Sequence, residues 1–264
     1  MRIRHLAWAG IEIHADGHAL VVDYVRDFPL LTQTAGTEAY AAHSIPALAA
    51  LVTHLHEDHT DVGAIESAVG PRGILLRPAP FAGTGDEAPF TEPNEDRLAA
   101  STLDVRVVEE WQRVEFGPFN VTAVPAVDGL GDPQLNWVIE ADGRRILHGG
   151  DTLFHGLWWL IARRLGPIDV AVLPINGAIV QAPHLTPPSR VAAVLTPDQA
   201  VRAAAILGAH TVMPIHFGVH QPPEYVEVPD ARARLAEAAA RDSLAVTNLE
   251  PGESYEVRGP VTHD

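Results

Sequence analysis

The nine residues THLHEDHTD, Thr53 to Asp61, hold three histidines and three carboxylates, and they follow directly on the apolar run ALAALV, Ala47 to Val52. A short apolar run bounded by polar residues reads as a buried strand. The ligand-rich stretch therefore lies at a strand end, next to the hydrophobic core. His54 and His56 are two residues apart, and in extended backbone alternate side chains leave on the same side, so the pair can chelate one ion. Asp58 and His59 follow where the chain must turn into the helix read from DVGAIESAVG, Asp61 to Gly70. They can point at a neighbouring position, which makes a second ion geometrically plausible. One His and one Asp would be read as a solvated loop with a helix cap; three His and an Asp at H-x-H-x-D-H spacing argue for a metal site.

Composition narrows the chemistry. The chain has 264 residues, 47% hydrophobic and 20% charged, enough to bury a core. Its 18 basic and 34 acidic side chains give a formal net charge of −16. That field repels phosphate backbones and argues against a nucleic-acid partner. There is no cysteine, so disulfides, thiolate metal sites and cysteine nucleophiles are excluded, and a metal site must use imidazole and carboxylate. No G-x-S-x-G elbow is present. The N-terminus lacks a signal-peptide core and no run of about 18 apolar residues occurs. The reading is a soluble, cytoplasmic protein with no membrane partner.

Along the chain, IEIHADGHALVVD predicts two strands around an Asp-Gly turn, and a second Asp-Gly pair, Asp142-Gly143, predicts a hairpin. GILLRP is a strand, and VRVVEEWQRVEF, FNVTAVPAV and LNWVIEADGRRILHGGD read as successive strands of a meander. IDVAVLPING and TVMPIHFG are near-continuous apolar runs, suited to strands covered on both faces. Helices are expected in GLWWLIARRLG, in TPDQAVRAAAILG, where Thr196, Pro197 and Gln199 make a capping box, and in PDARARLAEAAARDS. The stretch from Arg77 to Ser101, rich in Pro, Gly and acid, reads as a long surface loop and a candidate lid. No linker divides the chain, which suggests one domain, 1–264, with helices packed outside sheets.

On these motifs the chain resembles the metallo-β-lactamase superfamily. The H-x-H-x-D-H loop is followed in order by GGDT with Asp151, which resembles that family's bridging-aspartate motif, and by MPIHFG with His216, which resembles its final-histidine motif. LPING, Leu173 to Gly177, and TPDQAV, Thr196 to Val201, make it similar to the branch of ascorbate-6-phosphate lactonases. The resemblance implies an α/β fold, a four-layer αβ/βα sandwich of two mixed β-sheets flanked by helices. It implies metal ligands His54, His56, Asp58, His59, Asp128, Asp151 and His216, holding two divalent ions, zinc first, with manganese or iron accommodated. Asp128, in VPAVDG, stands where relatives carry a histidine; it either ligates through a carboxylate oxygen or faces away and leaves the first site incomplete. Asp23, ending ALVVD, either supports a ligand histidine or closes the strand in a turn.

The implied activity is metal-dependent hydrolysis of a small ester-like bond, a lactone or a phosphoester, in a small-molecule substrate. Two ions sharing Asp151 would bring a water near neutral pKa and supply hydroxide, with Asp58 and Asp151 as the catalytic carboxylates and Asp58 passing the proton. The segments Arg26 to Ser44 and Arg77 to Ser101 would shape substrate entry. The competing reading is a mononuclear iron dioxygenase or other redox enzyme on the same fold, which Asp128 keeps open; a non-catalytic binder is a third. His155 and His184 are candidate pocket residues, His148 reads as structural, His220 as a surface residue, and Trp158 and Trp159 as core. A homo-oligomer is compatible with all of this.

Overall fold

The computed structural model describes residues 1–258; residues 259–264, the end of the expected domain, lie outside the described residues. Strands apolar on both faces need cover on both, and stacked layers provide it. The first sheet takes β1 (Arg2–Ala7), β2 (Gly10–Ala15), β3 (His18–Val22), β4 (Ala49–Leu51), β5 (Ile74–Arg77) and β6 (Asp104–Val107). The second takes β7 (Arg113–Phe116), β8 (Phe119–Pro125), β9 (Leu135–Ala141), β10 (Arg144–His148) and β11 (Val170–Pro174). After β12 (Ile179–Val180) come β13 (Thr211–Ile215), β14 (Tyr225–Val226), β15 (Ala245–Val246) and β16 (Ser254–Glu256).

The order of the first sheet is β16-β1-β2-β3-β4-β5-β6, antiparallel as far as β3 and parallel beyond it. The second runs β15-β13-β11-β10-β9-β8-β7, parallel as far as β10 and then antiparallel. β12 and β14 form a separate two-stranded ribbon. Both expected Asp-Gly hairpins are present, with positive φ at Asp16, Gly17, Asp142 and Gly143, the mirror-image turn that matches strand twist.

Strand alternation assembles the layers. In β11, Val170 and Val172 enter the core between the sheets, while Ala171 and Leu173 face the opposite way. In β4, Ala49 and Leu51 join that central core and Ala50 turns outward. The outer face of the first sheet packs with α2 (Val62–Val69) and α3 (Glu92–Ala100), which follow α1 (Pro29–Ala35) in the chain. The outer face of the second is covered by α4 (Trp158–Leu165), α5 (Pro197–Ile206) and α6 (Ala231–Arg241). The result is the expected four-layer αβ/βα sandwich of two mixed sheets flanked by helices. The capping box of α5 is made as read, with Gln199 N–H donating to Thr196 Oγ1 at 3.4 Å and Thr196 N–H to Gln199 Oε1 at 3.0 Å.

Three expectations change. VRVVEEWQRVEF is two strands, not one: β6 ends the first sheet and β7 edges the second, and the chain crosses between them through a turn with Trp111 at φ 69°. The segment from Arg77 to Ser101 is not all loop, since it contains α3. Only Asn94 and Leu98 of that helix are buried, so it shows no apolar stripe to read. Trp158 is buried as expected, but Trp159 is 52% exposed, because the helix turns it away from the sheet. No helix among the described residues is long and apolar enough to cross a membrane.

Trp137 of β9 is wholly buried in the central core that both sheets share. Trp137→Ala should lower stability by about 3–5 kcal/mol, the usual cost of a large cavity; urea denaturation of the two proteins checks this.

Candidate metal centre

The candidate residues all follow the carboxyl ends of strands. Asp23 follows β3, Thr53 to His59 follow β4, Asp128 and Asp132 follow β8, Asp151 follows β10, Asn176 follows β11 and His216 follows β13. Both sheets thus open onto one crevice, the usual place for a ligand in open α/β sheets. Two loops meet there closely. Gly150 has φ 49°, and a Cβ on it would lie 2.5 Å from Thr53 Oγ1, so only glycine lets GGDT approach the histidine loop.

Hydrogen-bond partners assign the tautomer of each histidine. Thr53 Oγ1 donates to Asp23 Oδ2 at 2.7 Å, so it accepts from His54 Nδ1 at 3.0 Å. His59 Nδ1 donates to the same Asp23 oxygen at 2.8 Å. His216 Nδ1 donates to Asn176 Oδ1 at 3.3 Å, and His56 Nε2 donates to Asp132 Oδ2 at 2.8 Å. Every one of these four rings therefore spends one nitrogen on an orienting hydrogen bond and turns the other toward the crevice. Asp23 both ends β3, at φ 46°, and supports a histidine.

The remaining nitrogens converge. Ligand atoms of Asp58, His59, Asp151 and His216 lie within 4.8 Å of one another, as do those of His54, His56 and Asp151, so the two groups share Asp151. Asp151 Oδ1 lies 2.9 Å from His59 Nε2 and 2.9 Å from His216 Nε2. Despite those distances, Asp151 Oδ1, His59 Nε2 and His54 Nε2 are buried without a hydrogen-bond partner. Buried polar atoms are nearly always satisfied; lone pairs aimed at a common point are satisfied by a cation. Asp58 Oδ2 sits 3.3 Å from His216 Nε2 and accepts from Trp8 Nε1 at 2.9 Å.

Asp128 lies in a third, overlapping group with His56 and Asp132. Its Oδ1 accepts three backbone N–H groups, from Leu130 at 2.7 Å, Gly131 at 2.9 Å and Asp132 at 3.2 Å, so that oxygen shapes the turn that presents Asp132. The structure thus sets Asp128 beside His56 but outside the group of His54, His56 and Asp151. Asp132 and Trp8 have no local sequence signal: their partners are 76 and 50 residues away.

Electrostatics follow from the crowding. Burial disfavours the charge of Asp151, but His216 and His59 outweigh it and hold its carboxyl far below the ordinary range. Burial likewise opposes the charge of His216, yet Asp151 and Asp58 raise it to about 9. Burial, reinforced by the charges of His59 and His56, pushes His54 well down. For Asp128 burial dominates and raises the carboxyl above its usual value.

A cavity of about 490 Å³ opens over this cluster, lined among others by Phe28 and Leu30 from the first entry segment and Phe90 and Asn94 from the second. His184 lies outside it, 4.7 Å from the Phe90 ring and lining a neighbouring cavity. His155 stacks on Trp158 at 4.3 Å. His148 is structural as read: buried, it donates from Nε2 to Ala9 O at 2.8 Å and accepts Gly150 N–H. His220 is exposed.

Asp23 is fully buried and satisfies Thr53 N–H, Thr53 Oγ1–H and His59 Nδ1–H together. Asp23→Ala should cost about 3 kcal/mol in urea denaturation run with chelator, since it strands buried donors. A loss below about 1 kcal/mol would contradict this role.

A family profile described as "Beta-lactamase superfamily domain" matches residues 18–217. Over 264 residues, 97% of this chain and 99% of the relative, the chain is 30% identical to a UPF0173 metal-dependent hydrolase of Symbiobacterium thermophilum. It is 29% identical over 211 residues to one of Thermococcus kodakarensis, covering 78% of this chain and 80% of the relative. Among solved structures it is similar to the metallo hydrolase Igni18 of Ignicoccus hospitalis, with TM-score 0.69, 20% identity and coverage of 97% and 99%. It is also similar in fold to CmlA, a diiron β-hydroxylase of Streptomyces venezuelae, with TM-score 0.70, 16% identity and coverage of 96% of this chain and 53% of that one. With the profile spanning most of its length and the histidine loop, Asp151 and His216 meeting in one crevice, the chain belongs to the beta-lactamase superfamily.

Proposed function

We propose that this protein, acting as one domain over 1–264, hydrolyses a small ester-like bond, a lactone or a phosphoester, with the aid of two divalent cations. The observation that carries the reading is Asp151 Oδ1, buried, 2.9 Å from two imidazole nitrogens and hydrogen-bonded to neither. Cations held by these residues would satisfy the unpartnered atoms. His54, His56 and Asp151 would hold one ion; Asp58, His59, Asp151 and His216 would hold the other. Asp128 and Asp132 add carboxylates beside His56. Imidazole and carboxylate donors suit zinc, and the carboxylates keep manganese and iron within reach. The name shared by the relatives, metal-dependent hydrolase, agrees with this reading.

When bound, the cations would supply a water acidified toward neutral pH and an electrophile for the scissile oxygen. The rest falls to the chain's own side chains. Trp8 Nε1 holds Asp58 Oδ2, leaving Oδ1 outside that network to take a proton and return it to the leaving group. Burial opposes ionisation of Asp58, but His59 and His216 outweigh it, so it is a carboxylate at neutral pH. Asp23, Asp132 and Asn176 orient the imidazoles. The apolar wall supplied by Phe28, Leu30 and Phe90 limits water around the scissile bond. The redox alternative draws on the oxygen donors Asp128 and Asp132 beside His56; one iron per chain and consumption of oxygen would favour it over two ions and hydrolysis.

Asp151→Ala should abolish hydrolysis and lower metal content, measured by elemental analysis alongside ester turnover; wild-type turnover in that variant would refute the assignment. Metal uptake should also depend on pH. With His216 raised to about 9, the ring is protonated at neutral pH and a cation must displace that proton. Apparent metal affinity should therefore climb as pH rises from 6 toward 9, by up to about tenfold per unit for each proton displaced, and flatten above that. Chelator competition across this range checks the slope, and affinity falling with pH would contradict it.

A further inference from the structure

From the charge of the cavity above the metal cluster we infer that the substrate is an uncharged or positively charged ester or lactone with an apolar body, and that anionic substrates are turned away. The inference rests on the hydrolase reading of the same site and narrows it. The 490 Å³ cavity is lined by the carboxylates of Glu57, Asp58, Asp128, Asp151 and Glu224, and no arginine among the described residues lines it. The chain contains no lysine, so no flexible ammonium can reach in.

The inner carboxylates are already committed. Asp58 and Asp151 face histidines, Asp128 Oδ1 holds the turn, and Asp132 holds His56. Two divalent ions would sit among these inner carboxylates, so selection by charge falls to the groups at the mouth of the cavity. Glu57 and Glu224 remain. Both are exposed lining residues, which puts them at the rim, and neither side chain has a hydrogen bond or ion pair among the described residues. An entering phosphate or carboxylate would pass two unpaired negative charges and meet no guanidinium to replace its hydration. An ammonium would be drawn in, and a neutral body would gain from the apolar walls of Phe28, Leu30, Phe90, Leu130, Val180 and Val194. Of the lactone and the phosphoester, the cavity therefore favours the lactone or a carboxylic ester.

The test uses metal-loaded protein and three hydroxamates of equal chain length, ending in methyl, trimethylammonium or carboxylate, with dissociation constants measured by calorimetry. The ammonium and methyl forms should bind more tightly than the carboxylate form, the ammonium by about tenfold or more. Because the rim is open to solvent, the gap between the charged forms should shrink in about 1 M salt. In the double variant Glu57→Gln, Glu224→Gln it should close while metal content stays at the wild-type level. Equal or tighter binding of the carboxylate form, or no binding by any of the three, overturns the inference. Turnover of a neutral nitrophenyl ester is measured in parallel: its absence, with the order of affinities intact, would sink the hydrolase reading and leave the charge selection standing.

Discussion

Imidazole nitrogens and carboxylate oxygens packed together in a buried crevice are costly when they lack hydrogen-bond partners, because burial removes the water that would satisfy them. The crevice of this protein is organised around that cost. Asp151 Oδ1 lies within 2.9 Å of two ring nitrogens, and neither approach is a hydrogen bond. Such an arrangement persists only if each donor is held from behind, and each is. Asp23 grips His59 and, through Thr53, His54; Asn176 grips His216; Asp132 grips His56.

That grip is delivered by the sandwich as a whole. The histidine loop and Asp23 come from the first sheet, Asp151 and His216 from the second, so the central core beneath them sets the distance between the halves of the site. Trp8 adds a direct tie: its carbonyl accepts His216 N–H at 3.1 Å and its indole holds Asp58. Backbone strain collects at the same place, with positive φ at Trp8, Asp23 and His216, three non-glycine residues that the packing around the crevice keeps in the left-handed region.

The charge pattern extends this logic outward. The acidic groups nearest the imidazoles serve the donors, while Glu57 and Glu224 at the rim serve nothing internal and face whatever enters. In a protein with formal net charge −16, no arginine or lysine among the described residues lines this cavity, and its basic groups, His56 and His216, belong to the candidate metal cluster.

The sequence by itself determined what local periodicity and spacing can carry. The two Asp-Gly hairpins, the buried parallel strands and the capped helix α5 were legible because their signals lie within a few residues. The histidine loop, Asp151 and His216 were legible because each sits at the end of a readable strand in a recognisable motif. The helix α3, the split of VRVVEEWQRVEF between two sheets, and the roles of Asp132 and Trp8 were not, since a helix with two buried residues has no stripe and a contact across 50 or 76 residues has no period. The two roles of Asp128, turn former and neighbour of His56, and the choice between the two readings of Asp23 were decided only in the tertiary structure. Which nitrogen of a ring is spent on a hydrogen bond, and which is left to face its neighbours, depends on groups that folding alone brings together.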